Sequence, residues 1–226
     1  MLAYISAKAD NRIIDALARE GFEVKLLAPF SALSEPTDTH ADMLMLVAGN
    51  VIFTHADYQV DFPDSYKIVK ISEQLGDKYP HDVLFNIAIV GKHVFCNKKH
   101  ASSEILDYLV GHGYSIHHVA QGYAHCSTCI VGNNAIITAD EGIFALASSI
   151  GIDALQISAG HISLPPYNYG FIGGASGTTE NAVYFCGSLK CHPEGEAIST
   201  FIKSHGKRVV ELCDSPLSDV GGIVFA

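Results

Sequence analysis

The feature that most limits how this chain can fold is an order of elements that returns along it. In "CIVGNNAIITADEGIFALASSIGIDALQIS" (Cys129 to Ser158) an apolar strand meets the turn Gly132-Asn133-Asn134, and a second strand follows. Asp140 is placed to cap a helix whose stripe is Phe144, Leu146, Ala147 and Ile150. Gly151 stops that helix and a last strand begins. The same order runs through "AIVGKHVFCNKKHASSEILDYLVGHGYSIHHVA", with Ser102 or Ser103 as cap, Ile105, Leu106 and Leu109 as stripe, and Gly113 as stop. It runs again through "NAVYFCGSLKCHPEGEAISTFIKSHGKRVVELC", with Pro193 in the first helical turn and Gly206 at the end. A further copy, "HADMLMLVAGNVIFTHADYQVDFPDSYKIVKI", keeps both hairpin strands but has Pro63 and a polar run where the helix would be.

One copy is cut. The chain begins "LAYISAKADNRIIDALAREGFEVKLLAP", the second half of the unit, and ends "SDVGGIVFA", its missing first strand. Pairing of those two strands would close a ring of five strand–strand–helix–strand units and leave no sheet end unmatched. The expected fold class is therefore an α/β five-bladed propeller, spanning residues 1–226 as one domain; an α/β sandwich of irregular order is the alternative.

Composition narrows the function. The chain has 226 residues, 48% hydrophobic and 17% charged, which is the profile of a globular protein with a substantial core. Net charge is −10 and the basic residues are scattered, so nucleic acid and anionic membrane are not expected partners. No apolar run reaches membrane-spanning length, and the N-terminus lacks the pattern of a signal peptide. A cytoplasmic location with six free thiols is the resulting expectation. Oligomeric state is not readable.

Strand starts of a propeller converge on its axis. Aligning the copies on their hairpin turns places Asp42, Asn86, Cys126, Asn168 and Asp219 at equivalent starting positions, a polar set suited to a small molecule. In "QGYAHCSTCIV" the pair Cys126 and Cys129 lacks a second CxxC, so neither a structural zinc nor any other metal is expected. A redox pair is disfavoured because such a pair opens a helix, whereas this one is read as strand. On a strand, Cys129 faces away from Cys126 and packs in the core, and His125 likewise faces away. "GFIGGASGTTE" is followed by a strand and not by a helix, so it is no phosphate cradle; it reads as a long hairpin loop able to act as a lid. No cofactor is expected.

The ring architecture together with Gly122, His125, Cys126, Ser127 and Thr128 resembles the guanidino-modifying enzymes, or penteins. That superfamily contains arginine and agmatine deiminases, amidinotransferases and dimethylarginine hydrolases, whose cysteine nucleophile follows a similar lead. It also carries a His-x-Asp or His-x-Glu motif two blades earlier, matched here by His40 and Asp42 in "THADM". "HADM", "QGYAHCSTCIV" and "YNYGFIGGASG" are more closely similar to an uncharacterised bacterial family assigned to this fold. The resemblance implies Cys126 as nucleophile, His40 as general acid and base, and Asp42 as its partner or as a clamp for a cation. Asp219 would be a second guanidinium clamp, with Asn86, Asn168 and His161 as further binding residues and His161 also a rival to His40. The implied activity is hydrolysis or group transfer at a C–N bond of a small polar molecule, cationic in this reading. A non-catalytic binder of a small molecule or partner is the alternative, since the superfamily includes a ribosome anti-association factor without catalysis. Each carboxylate and amide has a plainer reading as an acceptor or donor to loop backbone.

Overall fold

The computed structural model describes all 226 residues. Five three-stranded sheets follow one another along the chain. The first is begun by β1 (Leu2–Ser6), α1 (Asn11–Arg19) and β2 (Glu23–Leu27). The short helix α2 (Ala41–Leu44) leads to the second, β3 (Met45–Ala48), β4 (Val51–His55) and β5 (Lys67–Ile71), with no helix between β4 and β5. The third is β6 (Ala88–Val90), β7 (His93–Cys96), α3 (Ser103–Gly111) and β8 (Ser115–His118). The fourth is β9 (Thr128–Gly132), β10 (Ala135–Thr138), α4 (Glu141–Ser149) and β11 (Asp153–Gln156). The fifth is β12 (Ser176–Thr178), β13 (Ala182–Phe185), α5 (Gly195–Ser204) and β14 (Arg208–Glu211). The last strand, β15 (Val224–Phe225), returns to the first sheet and pairs antiparallel with β1, Ala3 opposite Phe225 and Tyr4 opposite Val224. This is the closure expected from the cut repeat, and the fold is the pentein-like α/β propeller.

Every blade has one logic. The inner strand pairs antiparallel with the middle strand and the middle strand parallel with the outer one; a helix makes the crossover in all but the second blade, and a hairpin turn joins inner to middle strand in all but the first. Middle strands β4, β10 and β13 are buried along their whole length, as continuous apolar runs between two packed faces must be. Outer strands read exposed, half-buried, half-buried, exposed, and their exposed ends carry charge, as in Lys67 and Lys70 of β5 or Arg208 and Glu211 of β14. Charge on an edge strand discourages pairing with another chain.

Helix ends follow the sequence signals. Ser102 accepts from the backbone N–H of Ile105, and Asp140 from that of Ile143. Gly113, Gly151 and Gly206 sit at φ of +77°, +82° and +75°, the left-handed stop that a side chain resists. Two details differ from expectation. The buried face of α4 is Ile143 with Ala147, and Phe144 is only half-buried. Pro193 precedes α5 by two residues instead of lying in its first turn. Core clusters cross blade boundaries: Phe95 of the third packs with Ile136 and Ile143 of the fourth, and Ile5 and Ile13 of the first pack with Tyr184 of the fifth. No helix is long and apolar enough to cross a membrane.

The inner strands β3, β6, β9, β12 and β15 surround an axial channel of about 880 Å³, to which all five contribute. Of the turns that precede β9 and β12 it reaches His125 and Gly173, and the other polar residues of those segments lie beyond its lining.

Candidate active site

"GFIGGASGTTE" is not a lid loop. Residues 172–175 form a tight turn and Ser176–Thr178 is the inner strand β12. Gly173 packs where an added Cβ would meet the carbonyl oxygens of His125, Cys126 and Thr128, and Gly174 where it would meet the carboxylate of Asp219. These glycines bring two blades into backbone contact, and Gly174 N–H donates to the Cys126 carbonyl at 3.0 Å.

The turn 124–127, just before β9, carries His125 and Cys126. Asn86, just before β6, holds it. Its amide oxygen accepts from the backbone N–H of His125 at 2.7 Å and of Cys126 at 3.1 Å. Its amide nitrogen donates to Cys126 Sγ at 3.1 Å and to Met43 Sδ at 3.4 Å. With both ends of the amide engaged, Asn86 is a positioning residue and has nothing left for a ligand.

The Cys126 thiol donates to Asp42 Oδ2, from the first turn of α2. Asp42 Oδ1 is buried without any partner. Burial, then the charges of Asp42 and Asp219, push the Cys126 thiol well above its ordinary value. Asp219 accepts from Phe171 N–H at 2.9 Å and Gly221 N–H at 3.0 Å. Its carboxyl is nevertheless pushed up to about 7, by burial first and by Asp42 next. Asp219 and the Cys126 thiol thus share, beside Asp42, a buried centre in which their own uncharged forms are favoured. An entering cation would reverse that preference, because each acid would then gain an opposite charge.

The model of DUF6873, a family of unknown function, matches residues 4–224. The chain belongs to that family. No curated protein matches this DUF6873 chain in sequence. Among solved structures it is similar to DDAH from Pseudomonas aeruginosa, determined as a cysteine-to-serine mutant complexed with citrulline. The TM-score is 0.57 at 14% identity over 93% of this chain and 90% of that one. It is similar to SxtG, an amidinotransferase from Microseira wollei, with TM-score 0.52 and 14% identity over 93% and 74% of the two chains. It is also similar to the C. jejuni agmatine deiminase, with TM-score 0.54 and 11% identity over 94% and 87%. These are pentein-superfamily structures, and at such identities the likeness establishes the fold.

The DUF6873 centre departs from the sequence expectation at several residues. Asn168 is exposed in the loop before β12. The residue two positions ahead of β12, as Asn86 is ahead of β6 and Cys126 ahead of β9, is Gly174. His161 is exposed too, edge-on to His192 with ring centroids 5.3 Å apart, and joins no polar atom of the centre. His40 is buried behind Asp219, Nδ1 to Oδ1 3.8 Å, and Gly221 leaves room for it, since a Cβ there would strike the His40 side chain. Burial lowers the His40 pKa, against the opposing charges of Asp42 and Asp38.

His125 was expected to face away, and it does not. Because it sits in a turn and not in the strand, its Nδ1 lies 3.7 Å from Asp42 Oδ2, and its ring also lines the axial channel. Cys129 is wholly buried in β9, as core. All six cysteines are free thiols.

Proposed function

We propose that the protein is a cysteine-dependent enzyme that hydrolyses, or transfers a group from, a C–N bond of a small guanidino or amidino compound. The observation that carries this reading is the contact of the Cys126 thiol with Asp42 at the ring centre, with the second oxygen of Asp42 left unpaired. A guanidinium fits that oxygen by charge and by its forked N–H groups.

In the proposed sequence the substrate cation docks on Asp42, with Asp219 beside it. The positive charge lowers the cost of the thiolate, and the thiol proton passes by way of Asp42 to His125. The sulfur attacks the amidino carbon, the C–N bond to the leaving amine breaks, and His125 returns a proton to that amine. The Cys126 thioether-amidinium is then released by water, giving a urea or amide product, or by an acceptor amine, giving group transfer. His125 takes the acid–base role in preference to His40 because it touches both Asp42 and the channel, whereas His40 stands behind Asp219. His40 then positions Asp219.

A second reading, a non-catalytic binder on the same fold, is favoured by the closure of the centre: Cys126 is 4% exposed and Asp42 2%. Tyr123 and Phe171, stacked at 6.3 Å, belong to the segments over it. One experiment separates the two. The protein is incubated with a panel of guanidino and amidino compounds; released amine is assayed and intact mass is recorded. The enzyme reading expects amine release with at least one compound and a transient mass gain on Cys126, both lost in Cys126→Ser. Amine-free incubations across the panel, with no Cys126 adduct, favour the binder.

A further inference from the structure

We infer that the axial channel is built for an apolar, carboxylate-free tail, so that the ligand is an N-alkyl or N-aryl guanidine or amidine with its cationic head at Asp42. This rests on the proposed function for the head and on the channel for the tail.

The channel volume of about 880 Å³ is that of a small-molecule site. Its wall carries Met45 and Val47 of β3, Ile89 of β6, Ile130 of β9 and Phe225 of β15, and the hydroxyls of Thr128, Ser176 and Thr178 between them are turned to the carbonyls of Ala124, Gly173 and Ile130. Its cations are at the rim and are engaged. Lys207 Nζ donates to the carbonyls of Thr179 and Glu180 at 2.7 and 2.6 Å, and His205 Nε2 lies 3.0 Å from Asp153 Oδ2. An amino-acid carboxylate lowered into this space would lose water and meet no free positive group, a costly transfer. A positive head, by contrast, finds buried carboxylates beyond His125, where Asp42 Oδ2 lies 3.7 Å from His125 Nδ1 and Asp42 Oδ1 is unpartnered.

His125 stands between channel and floor. Its ring lines the channel, and its Nδ1 makes no hydrogen bond. In the proposed binding mode the head passes this side chain to reach Asp42, and its rotation would break no Nδ1 hydrogen bond.

Calorimetric titration of the full chain with methyl-, butyl-, hexyl- and octylguanidine tests the inference, with arginine and hexanoate as controls. Affinity is expected to rise about fourfold per methylene until the channel is filled, the equivalent of about 0.8 kcal/mol per buried CH₂. Arginine and hexanoate should both bind far more weakly than hexylguanidine. Ile130→Trp and Ile89→Trp, which fill the channel from two different blades, should each return hexylguanidine to the affinity of methylguanidine. Both should leave alkylation of Cys126 by a small haloacetamidine intact. Affinities independent of chain length would overturn the inference, as would arginine or hexanoate matching hexylguanidine. So would folded variants that still bind hexylguanidine fully. If chain length matters but Cys126 forms no adduct with any amidine, the tail site stands and the cysteine chemistry falls; a selective adduct without chain-length dependence has the opposite meaning.

Discussion

Gly173→Ala is expected to cost about 3 kcal/mol or more and to leave little folded protein. The new Cβ would fall against three backbone oxygens, those of His125, Cys126 and Thr128, and backbone cannot swing aside as a long side chain can. A domain has only about 5–15 kcal/mol of stability in total. The control is Gly111→Ala, near the end of α3, where nothing lies within 4 Å of the added atom. Alanine there should be neutral or stabilising by up to about 1 kcal/mol. Denaturant melts of both variants check the pair. A tolerated Gly173→Ala would mean that the fourth and fifth blades do not meet at the Cys126 turn.

Asp219→Asn is expected to gain stability relative to the parent protein by up to about 4 kcal/mol as pH rises from 4 to 8. The sign follows from a folded-state pKa raised to about 7 over an unfolded value near 3.8. Between those values the folded chain holds a proton that the unfolded chain has released, so stability falls as pH rises through the interval. Above pH 7 the full cost of the buried charge remains. Asparagine carries no charge to bury, but Phe171 N–H and Gly221 N–H bind separate oxygens of Asp219, so its single amide oxygen keeps one of the two bonds and the loss of the other is a cost at every pH. The difference at pH 8 corresponds to roughly 10 °C in melting temperature for a chain of this size. Parallel melting curves for the two proteins from pH 4 to 8 would show that Asp219 is ionised without penalty. A stabilised variant that has lost guanidinium binding would mark Asp219 as a residue held strained for function.

Architecture was legible in the sequence because it is written in local physics. Helices α3 and α4 announce their starts by a capping oxygen, at Ser102 and Asp140, and α3, α4 and α5 their ends by a glycine that takes positive φ, Gly113, Gly151 and Gly206. The split repeat at the two termini needs one further step, that a ring has no free edge, and β1 pairs with β15 accordingly.

The centre was legible in part. Asp42, Asn86, Cys126 and Asp219 come together because each lies close before an inner strand, at a distance readable from the hairpin turns. Asn168 was misplaced because its blade begins with a longer loop, and the residue in the matching place, Gly174, has no side chain to signal chemistry. His125 was set aside on a strand rule, that neighbours face opposite ways. A helical turn separates neighbours by only about 100°, so two successive residues reach the same carboxylate. Nothing in composition marks those four turn residues off from β9. His161 ranks below His40 in the sequence because a rigid proline pair follows it; its loop does reach the centre, where the Ser163 carbonyl accepts from Asp219 N–H at 2.9 Å, but the imidazole itself is exposed.

The central claim is that Cys126 stands in a pocket selective for cations, and labelling of the six thiols by two reagents tests it most directly. Exposure alone ranks Cys191 first and Cys213 second, with Cys126 among four buried thiols. Neutral iodoacetamide should follow that ranking. The cationic 2-chloroacetamidine should reverse it and modify Cys126 ahead of every other cysteine, with the label located by peptide mapping. Chloroacetamidine that labels Cys191 first and leaves Cys126 untouched would contradict the account.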